Sequence, residues 1–307
     1  MTNTTQDLLL EFANVGFHYP DGNMGLNGCS LNIRRGTRNA LLGANGAGKT
    51  TLFLHTNGLL RQQSGTVRYT GSAIDTSRAG LRQLRSAVGL VFQNPDQQLF
   101  SASVREDVSF GPLNLGLDID TVRQRVKTAL QTVDIEALAD RPVHNLSFGQ
   151  KKRVCIAGVL AMEPRLLILD EPMAGLDHMM RIELQAVLDR LHEQGITLLL
   201  ATHDVDFAYR WADRIHLMTA GRCAAAFATA TLADNAAALE AMRQAGFPVP
   251  AAIELEQALA RRGLLRDATP ARSLRALIDR LDDHVACGQA PDNNSQETSR
   301  CRAKSGL

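Results

Sequence analysis

The sequence lacks the features that mark membrane-spanning, secreted and nucleic-acid-binding proteins. No apolar run approaches the roughly 18 residues that a helix needs to cross a bilayer. The opening stretch, MTNTTQDLLLEF, has no basic flank and is not expected to be a signal peptide. Lysine and arginine (33) nearly balance aspartate and glutamate (32), so the formal net charge of +1 points to no nucleic-acid partner and no anionic lipid. We therefore expect any connection with a membrane to come through another polypeptide.

Cysteine and aromatic residues are also scarce. The five cysteines, at positions 29, 155, 223, 287 and 301, are odd in number, widely scattered and without a CxxC pair. This pattern argues against a disulfide framework and a zinc knuckle, and it favours a reducing cytosol. Aromatic residues make up 5% of the chain, whereas the apolar fraction of 45% is ordinary for a globular protein with a sizeable core.

Strands and helices alternate in the first two thirds of the chain, which predicts an α/β domain over about residues 1–225. Continuous apolar runs predict strands buried on both faces of a parallel sheet. These runs cover residues 38–43, 89–92, 165–172 and 196–204. Shorter strands are predicted within residues 8–35 and over 65–71. Helices are predicted over residues 48–60, 81–87, 119–140, 151–163 and 180–194.

The composition changes after residue 225. An alanine-rich stretch is broken by FPVP at residues 247–250, and amphipathic spacing predicts two more helices over 251–262 and 272–284. We expect a small helical extension over residues 226–287. The polar, aperiodic residues 288–307 are expected to form a disordered tail.

The stretch GANGAGKT fits the phosphate-binding pattern G-x-x-x-x-G-K-[ST] and lies between a predicted strand and a predicted helix. Its glycines let successive N–H groups point at phosphate oxygens, and the following helix adds the positive end of its dipole. Lys49 is expected to reach the β- and γ-phosphates, and the Thr50 hydroxyl to ligate Mg²⁺. The predicted nucleotide-binding residues here are Gly43, Ala44, Asn45, Gly46, Ala47, Gly48, Lys49, Thr50 and Thr51.

Two apolar runs end in residues that suit the other half of such a site. In LLILDEP the apolar run is followed by Asp170, expected to hold Mg²⁺, and by Glu171, expected to act as general base on the attacking water. In LLLATHD the strand is followed by His203, for which a γ-phosphate contact is expected. Acids that end a strand and single histidines are often structural, so these roles depend on the phosphate loop being present.

The stretch LSFGQKKRV begins with a serine at the start of a predicted helix. Ser147 and the nearby N–H groups would form an anion site with nothing in their own chain to bind, unless the stretch is only a turn before a basic helix. The basic residues Lys151, Lys152 and Arg153 are interpreted as a solvated helix face.

These motifs, in this order, resemble those of ABC-transporter ATPases, whose usual signature is LSGGQ. The resemblance implies a mostly parallel sheet core with an antiparallel β subdomain and a helical subdomain, the P-loop NTPase fold. It implies two subunits packed head to tail, with Ser147, Phe148, Gly149 and Gln150 of one closing over the ATP held by the other. Phe148 and Met173 depart from the usual glycine and threonine of the family, and neither departure removes a phosphate or magnesium ligand.

The same resemblance assigns further residues. Asp177 in AGLD would lie in the loop that crosses the dimer interface. Tyr19 would stack on adenine, although an ordinary strand aromatic is the alternative. Gln93 would reach Mg²⁺ and the attacking water. The implied catalytic residues are Glu171, His203, Gln93 and Lys49, and the implied metal ligands are Thr50, Gln93 and Asp170.

The stretches FQNPDQQLF and VREDVSFGPLNLGL resemble the energy-coupling-factor class within that family. There, a short Pro-Asp helix lines a groove that grips a coupling helix of the membrane partner. Leu99 and Phe100 would be anchors of this groove, or would only pack the helical subdomain. LSFGQKKRVCIAGVLAMEPRLLILDEP is similar to cobalt and nickel uptake ATPases.

We therefore expect an ATP- and Mg²⁺-dependent subunit of an importer for cobalt or nickel. The expected partners are a second ATPase subunit, a transmembrane coupling protein and a substrate-binding membrane subunit. The expected location is the cytoplasmic side of the inner membrane. The alternatives are a vitamin importer of the same class, a soluble ABC ATPase acting on ribosomes or DNA, and a nucleotide-binding regulatory subunit.

Overall fold

The computed structural model describes residues 7–265 and 270–288, with side chains to Asp282. The described residues form two compact units, which divide between Val249 and Pro250. The larger unit contains two sheets. Its strands, in chain order, are β1 Leu8–His18, β2 Met24–Arg34, β3 Arg38–Gly43, β4 Ser64–Tyr69, β5 Ser72–Ala73, β6 Val88–Val91, β7 Leu166–Asp170, β8 Thr197–Thr202, β9 Arg214–Thr219 and β10 Arg222–Ala228.

The six-stranded sheet has the order β10-β9-β3-β8-β7-β6 and is parallel except at its edge pair β9–β10. Every residue of β6, β7 and β8 is buried, as the continuous apolar runs predicted. The four-stranded sheet, β2-β1-β4-β5, is antiparallel. The predicted α/β architecture, with a mostly parallel core and an antiparallel β subdomain, is confirmed.

Helices connect most strands of the six-stranded sheet. In chain order the helices are α1 Lys49–Thr56, α2 Arg78–Ala87, α3 Val104–Asn114, α4 Ile119–Thr132, α5 Phe148–Leu160, α6 His178–Glu193, α7 Val205–Trp211, α8 Ala236–Gln244, α9 Ala251–Arg261 and α10 Leu274–Gly288. Three of them, α3, α4 and α5, lie between β6 and β7 in the chain. Helices α3, α4 and α5 pack against one another and form the expected helical subdomain. No helix in the described part of the chain is long and apolar enough to span a bilayer.

One core joins the two sheets of the larger unit. Phe12 of β1, Phe53 of α1 and Ile168 of β7 belong to the same buried cluster, with exposures of 1%, 0% and 0%. Burying apolar side chains of this size stabilises the fold by roughly 1.5–3 kcal/mol each. Helix α1 is therefore fixed between the sheets, and the loop that precedes it is held in place.

Some predicted elements end earlier than expected. Helix α1 stops at Thr56 because Gly58 takes the left-handed conformation, with φ +67°. Helix α4 stops at Thr132, and Asp134 follows at φ +58°. Strand β6 ends at Val91, one residue before the predicted end.

Several elements had no counterpart among the predictions. Helix α3 begins with a capping box between Ser103 and Glu106, a signal that is present in the sequence. Helix α7 and the β9–β10 pair also lie outside the predicted elements. Strand β10 runs across residue 225, so the boundary expected there falls inside a strand, and the larger unit continues to Val249.

The smaller unit contains α9 and α10, close to the predicted helices 251–262 and 272–284. The Glu256 carboxylate accepts a hydrogen bond from the Ala271 N–H at 3.1 Å and pairs with Arg280. Leu277 is fully buried. The expected disordered tail lies outside the described residues, apart from Gly288 at the end of α10.

Candidate active site

The predicted phosphate-binding loop, residues 43–50, connects the carboxyl end of β3 to the first turn of α1. Gly46 and Gly48 have φ values of +79° and +102°, which turn successive N–H groups toward one side. A Cβ on Gly48 would lie 2.6 Å from the carbonyl oxygen of Gly25, so only glycine fits there. The Lys49 ammonium folds back across the loop and donates to the carbonyl oxygens of Gly43 at 2.7 Å and Ala44 at 3.3 Å. The loop thus forms a cradle of N–H donors with a buried ammonium at its rim.

An oxygen pair lies at the edge of this cradle. The Thr50 hydroxyl donates to Oδ2 of Asp170, the last residue of β7, at 2.7 Å. Burial raises the pKa of the Asp170 carboxyl, against the opposing effects of the Thr50 hydrogen bond and the Lys49 charge. A hydroxyl and a carboxylate are the hard oxygen donors that Mg²⁺ prefers, and a cation beside them would compensate the buried charge. The residues therefore fit a magnesium ion.

Glu171 follows Asp170 in a strained backbone conformation, and its carboxylate lies between the side chains of Lys49 and His203. Its φ is +46°, uncommon for a residue other than glycine, and only a small part of it is exposed. Oε1 lies 3.8 Å from Nζ of Lys49, and Oε2 lies 3.0 Å from Nδ1 of His203. The His203 side chain is 77% exposed at the end of the neighbouring strand β8. This places a carboxylate and an imidazole together at the carboxyl edge of the sheet, where the apolar runs predicted them.

Tyr19 forms the opposite wall. Its hydroxyl lies 2.9 Å from Oγ1 of Thr51, and its ring meets the Phe17 ring edge to face at 5.1 Å between centroids. The backbone leading to Tyr19 is fixed by Gln63, whose amide bonds both the N–H and the carbonyl of His18, at 2.8 and 2.9 Å. The aromatic ring is thus held beside the start of α1.

A cleft of about 260 Å³ collects these groups. Its lining includes the predicted residues Tyr19, Ala44, Asn45, Gly46, Gly48, Lys49, Thr50, Thr51, Gln93, Asp170 and Glu171. The cleft lining does not include three other predicted residues, Gly43, Ala47 and His203. Met24, 51% exposed, lies at its rim and has no sequence signal that would have marked it.

The predicted signature residues lie elsewhere. Ser147 caps α5 in a capping box: Gln150 N–H donates to Ser147 Oγ at 3.3 Å, and Ser147 N–H donates to Gln150 Oε1 at 3.0 Å. Ser147, Gly149 and Gln150 line a separate cavity of about 350 Å³. Asp177 caps α6 by accepting from the Met180 N–H at 2.8 Å. Within one chain, the N-terminus of α5 therefore contributes no residue to the cleft.

The interpretation of residues 151–153 as a solvated helix face is wrong. Lys152 is 3% exposed, and its ammonium donates to main-chain carbonyls. Lys151 pairs with Asp96 at 2.7 Å, and Arg153 pairs with Glu183. All three cations have partners, because α5 packs against α3, α4 and β6 rather than lying free on the surface.

A second surface lies beside β6. The Phe100 and Phe110 rings pack edge to face at 4.7 Å and stay 64% and 50% exposed. They line a groove of about 570 Å³. The buried Asp107 carboxylate fixes Phe100 by accepting from its N–H at 2.9 Å. Leu99 is half-buried and does not line the groove, so the structure separates the two residues that were predicted to act together.

The loop between β6 and this groove is tied to the strand end. Gln98 accepts from the Phe92 N–H at 3.0 Å and donates to the Leu90 carbonyl at 3.4 Å. A short 3₁₀ helix, Pro95–Gln97, begins after Asn94, whose side chain accepts from the Asp96 N–H. The predicted short Pro-Asp helix is therefore present, and it joins Gln93 in the cleft to Gln98 in the groove.

Comparison with known proteins decides the family. The ABC transporter family profile matches residues 26–174. An energy-coupling factor transporter ATP-binding protein of Carboxydothermus hydrogenoformans is 45% identical over 249 residues, 81% of this chain and 90% of that protein. A putative ABC transporter ATP-binding protein of Methanothermobacter marburgensis is 51% identical over 213 residues, covering 69% and 77%.

The chain belongs to the energy-coupling-factor ABC transporter ATP-binding proteins. Like the other members, this energy-coupling-factor ATPase binds and hydrolyses ATP. The structure of CbiO1 from Clostridium perfringens, described as part of the transporter complex CbiONQ, matches with a TM-score of 0.69 and 44% identity over 82% of this chain and 99% of that one. An ATP-binding cassette solved as a dimer after hydrolysis, with ADP and phosphate bound, matches with a TM-score of 0.66 and 26% identity over 72% and 99%.

The first departure of this energy-coupling-factor ATPase from the usual signature has a visible consequence. Phe148 is 40% exposed, and its ring occupies the space beside Gly175, where a Cβ would lie 2.9 Å from the ring. The Lys152 ammonium lies 5.2 Å from the centre of the same ring. The second departure, Met173, is half-buried in the turn after Glu171 and contributes no atom to the cleft lining.

Proposed function

We propose that this energy-coupling-factor ATPase powers the uptake of a transition-metal ion, cobalt or nickel, through partner membrane proteins. Two findings support the cargo: the similarity to CbiO1 of a CbiONQ complex, and the resemblance of residues 146–172 to cobalt and nickel uptake ATPases. The observation that carries the coupling role is the exposed Phe100–Phe110 pair, because Phe100 lies in the same short loop as the cleft residue Gln93.

In the proposed active state, two ATP molecules are sandwiched between two subunits. The cradle at residues 43–50 receives the phosphates, and Lys49 exchanges its carbonyl partners for phosphate oxygens. Ser147 of the second subunit supplies the cap of its α5 to the γ-phosphate, while Asp177 crosses the interface. The isolated signature cavity and the dimeric relative with ADP and phosphate support this arrangement.

Hydrolysis then requires a base, and Glu171 is proposed for it. Its carboxylate lies between Lys49 and His203 at the edge of the cleft, where it can accept a proton from the attacking water. His203 and Gln93 are proposed to orient the γ-phosphate and the water. Tyr19 is proposed to stack on adenine. Thr50, Asp170 and Gln93 would hold Mg²⁺, which when bound screens the charge of the β- and γ-phosphates.

The groove beside β6 is proposed to receive the coupling helix of the membrane partner. An exposed pair of aromatic rings is costly to leave in water and suits an apolar helix face. Phe100 is the proposed anchor, since Leu99 does not line this groove. This contact would hold the chain at the cytoplasmic face of the inner membrane, together with a second ATPase that is either another copy or a paralogue.

Purification from detergent-solubilised membranes of the native host tests the proposal. We expect the tagged chain to co-purify with membrane proteins and the cells to accumulate radioactive cobalt or nickel. Phe100→Asp is expected to lose both while keeping basal ATP hydrolysis. Ile119→Asp changes another exposed apolar side chain, 55% exposed at the start of α4, and is expected to change neither.

Three outcomes would contradict parts of the proposal. Pelleting with ribosomes instead of membranes would favour a soluble ABC ATPase. Vitamin uptake without metal uptake would place the chain in a vitamin importer of the same class. Collapse of ATP hydrolysis in Phe100→Asp would mean that this side chain packs the helical subdomain.

A further inference from the structure

A buried lysine connects the signature helix to the segment that carries the general base. Lys152 lies on α5, about one turn after Phe148, and is 3% exposed. Its Nζ donates to the main-chain carbonyl oxygens of Glu171 at 3.3 Å, Pro172 at 2.7 Å and Ala174 at 2.7 Å. An ammonium has three donors, so these contacts use its full capacity.

These partners make the role of Lys152 unusual. Burying an ammonium is costly, and proteins usually offset that cost with a carboxylate. Here the acceptors are main-chain carbonyls of one turn, residues 171–174. A lysine in this arrangement holds a backbone in shape, rather than neutralising a side-chain charge.

The backbone that Lys152 holds is strained where the chemistry is proposed to occur. Glu171 has φ +46°, and Gly175 follows at φ +74°. A non-glycine residue in this conformation is strained and persists only when its surroundings fix it. The carbonyl oxygen of Glu171 accepts a hydrogen bond from Lys152, and the Glu171 N–H donates to the carbonyl oxygen of Ala201 at 3.2 Å. Together these bonds set the direction of the Glu171 carboxylate.

The other side of the same turn is held by the first residue of α5. The Phe148 ring packs against Gly175, and the Lys152 ammonium lies 5.2 Å from its centre. Two residues one helical turn apart therefore contact the turn after β7. Ser147, immediately before them, is proposed to meet the phosphate held by the partner subunit. A small movement of α5 thus reaches the turn that carries Glu171.

We propose that Lys152 is a positioning residue that couples the signature helix to the general base of its own subunit. When the α5 N-terminus engages the partner's nucleotide, Lys152 sets the Glu171 backbone for hydrolysis, so that the two ATP sites are linked. The inference rests on the roles proposed above for Glu171 and Ser147.

The test compares the full chain with Lys152→Met, Lys152→Gln and, as a control, Lys127→Met at an exposed lysine of α4. We expect Lys152→Met to lower kcat roughly 10- to 100-fold, because a misplaced catalytic group costs about that much. Binding of nucleotide to the isolated chain should change less than about threefold, since the cradle is untouched. The Hill coefficient for ATP should fall toward one. Lys152→Gln keeps an amide donor and should recover part of kcat, while Lys127→Met should match the wild type.

The outcomes separate this inference from the proposed function. An unchanged kcat and Hill coefficient in Lys152→Met would overturn the inference. Equal losses in nucleotide binding, kcat and thermal stability, with no recovery in Lys152→Gln, would assign Lys152 a structural role only and also overturn it. Glu171→Gln, measured in parallel, tests the proposed base: if it hydrolyses ATP at the wild-type rate, the proposed function fails whatever Lys152 does.

Discussion

Nδ1 of His203 lies 3.0 Å from Oε2 of Glu171, although the two residues follow different strands of the sheet. The imidazole is mostly exposed, whereas the carboxylate is buried and has Lys49 on its other side. This geometry gives the carboxylate one fixed orientation toward the cleft and leaves the imidazole free to meet a ligand. The predictions below test whether the residues around this pair act as proposed.

Glu171→Gln is expected to bind ATP but to hydrolyse it roughly 10²–10⁴-fold more slowly, because the amide cannot accept the proton of the attacking water. With magnesium and ATP present, the variant should accumulate as a dimer in size-exclusion chromatography. Glu193→Gln, an exposed position at the end of α6, is the matched control and should behave as the wild type. A strictly monomeric ATP-loaded Glu171→Gln would contradict the sandwich.

Tyr19→Ala is expected to weaken ATP binding by about 1–3 kcal/mol, the usual cost of removing an aromatic ring from a stacked base. Tyr19→Phe keeps the ring and loses only the hydroxyl bond to Thr51, so it should cost about 1 kcal/mol or less. Titration with a fluorescent ATP analogue measures both. Equal losses in the two variants would show that the hydroxyl, and not stacking, is responsible.

Ser147→Asp is expected to abolish ATP-dependent dimers without unfolding the chain. Aspartate and asparagine both cap helices as well as serine does, so the free energy of unfolding should change by less than about 1 kcal/mol in either variant. Only aspartate brings a negative charge toward the phosphate of the partner's nucleotide. Ser147→Asn is therefore the control and should retain dimers, as measured by light scattering. Stable ATP-dependent dimers of Ser147→Asp would place the γ-phosphate elsewhere.

Stability should depend on pH through Lys152. Burial lowers the pKa of this lysine from 10.5 to about 8, with Glu171 and Cys155 as the titratable groups that face it. Between these values the unfolded chain binds more protons than the folded chain, so this contribution to the free energy of unfolding rises with pH. Burial raises the pKa of Cys155 to about 12, so its thiol stays neutral in this window.

The difference in free energy of unfolding between the wild type and Lys152→Met isolates this effect. We expect the difference to shift in favour of the wild type as the pH rises from about 7.5 to about 9.5, in urea unfolding curves. Parallel pH profiles of the two proteins would mean that the folded lysine titrates near its ordinary value.

Local motifs made much of the fold and the candidate site predictable. The conformation of the loop at residues 43–50 follows from its local sequence, because Gly46 and Gly48 occupy the positions with positive φ and a buried strand precedes the loop. The acids Asp170 and Glu171 follow a buried strand, and carboxyl ends of parallel strands meet at one edge. Helix α3 was predictable in principle from its capping box. Strand β10 was not predictable, because alanine occupies both its exposed and its half-buried positions and the sequence therefore shows no alternation of polar and apolar residues.

The sequence by itself thus determined the α/β class, the family and most of the residues that line the cleft, because each depends on neighbours along the chain. Only the tertiary structure decided that Lys152 is buried, that Phe100 but not Leu99 lines the groove, and that the α5 N-terminus lies apart from the cleft. The physical reason is that burial and orientation depend on elements that are distant in sequence. The residues next to Lys152 in the sequence would be the same whether its ammonium faced water or main-chain carbonyl oxygens, so the sequence alone does not show that it is buried.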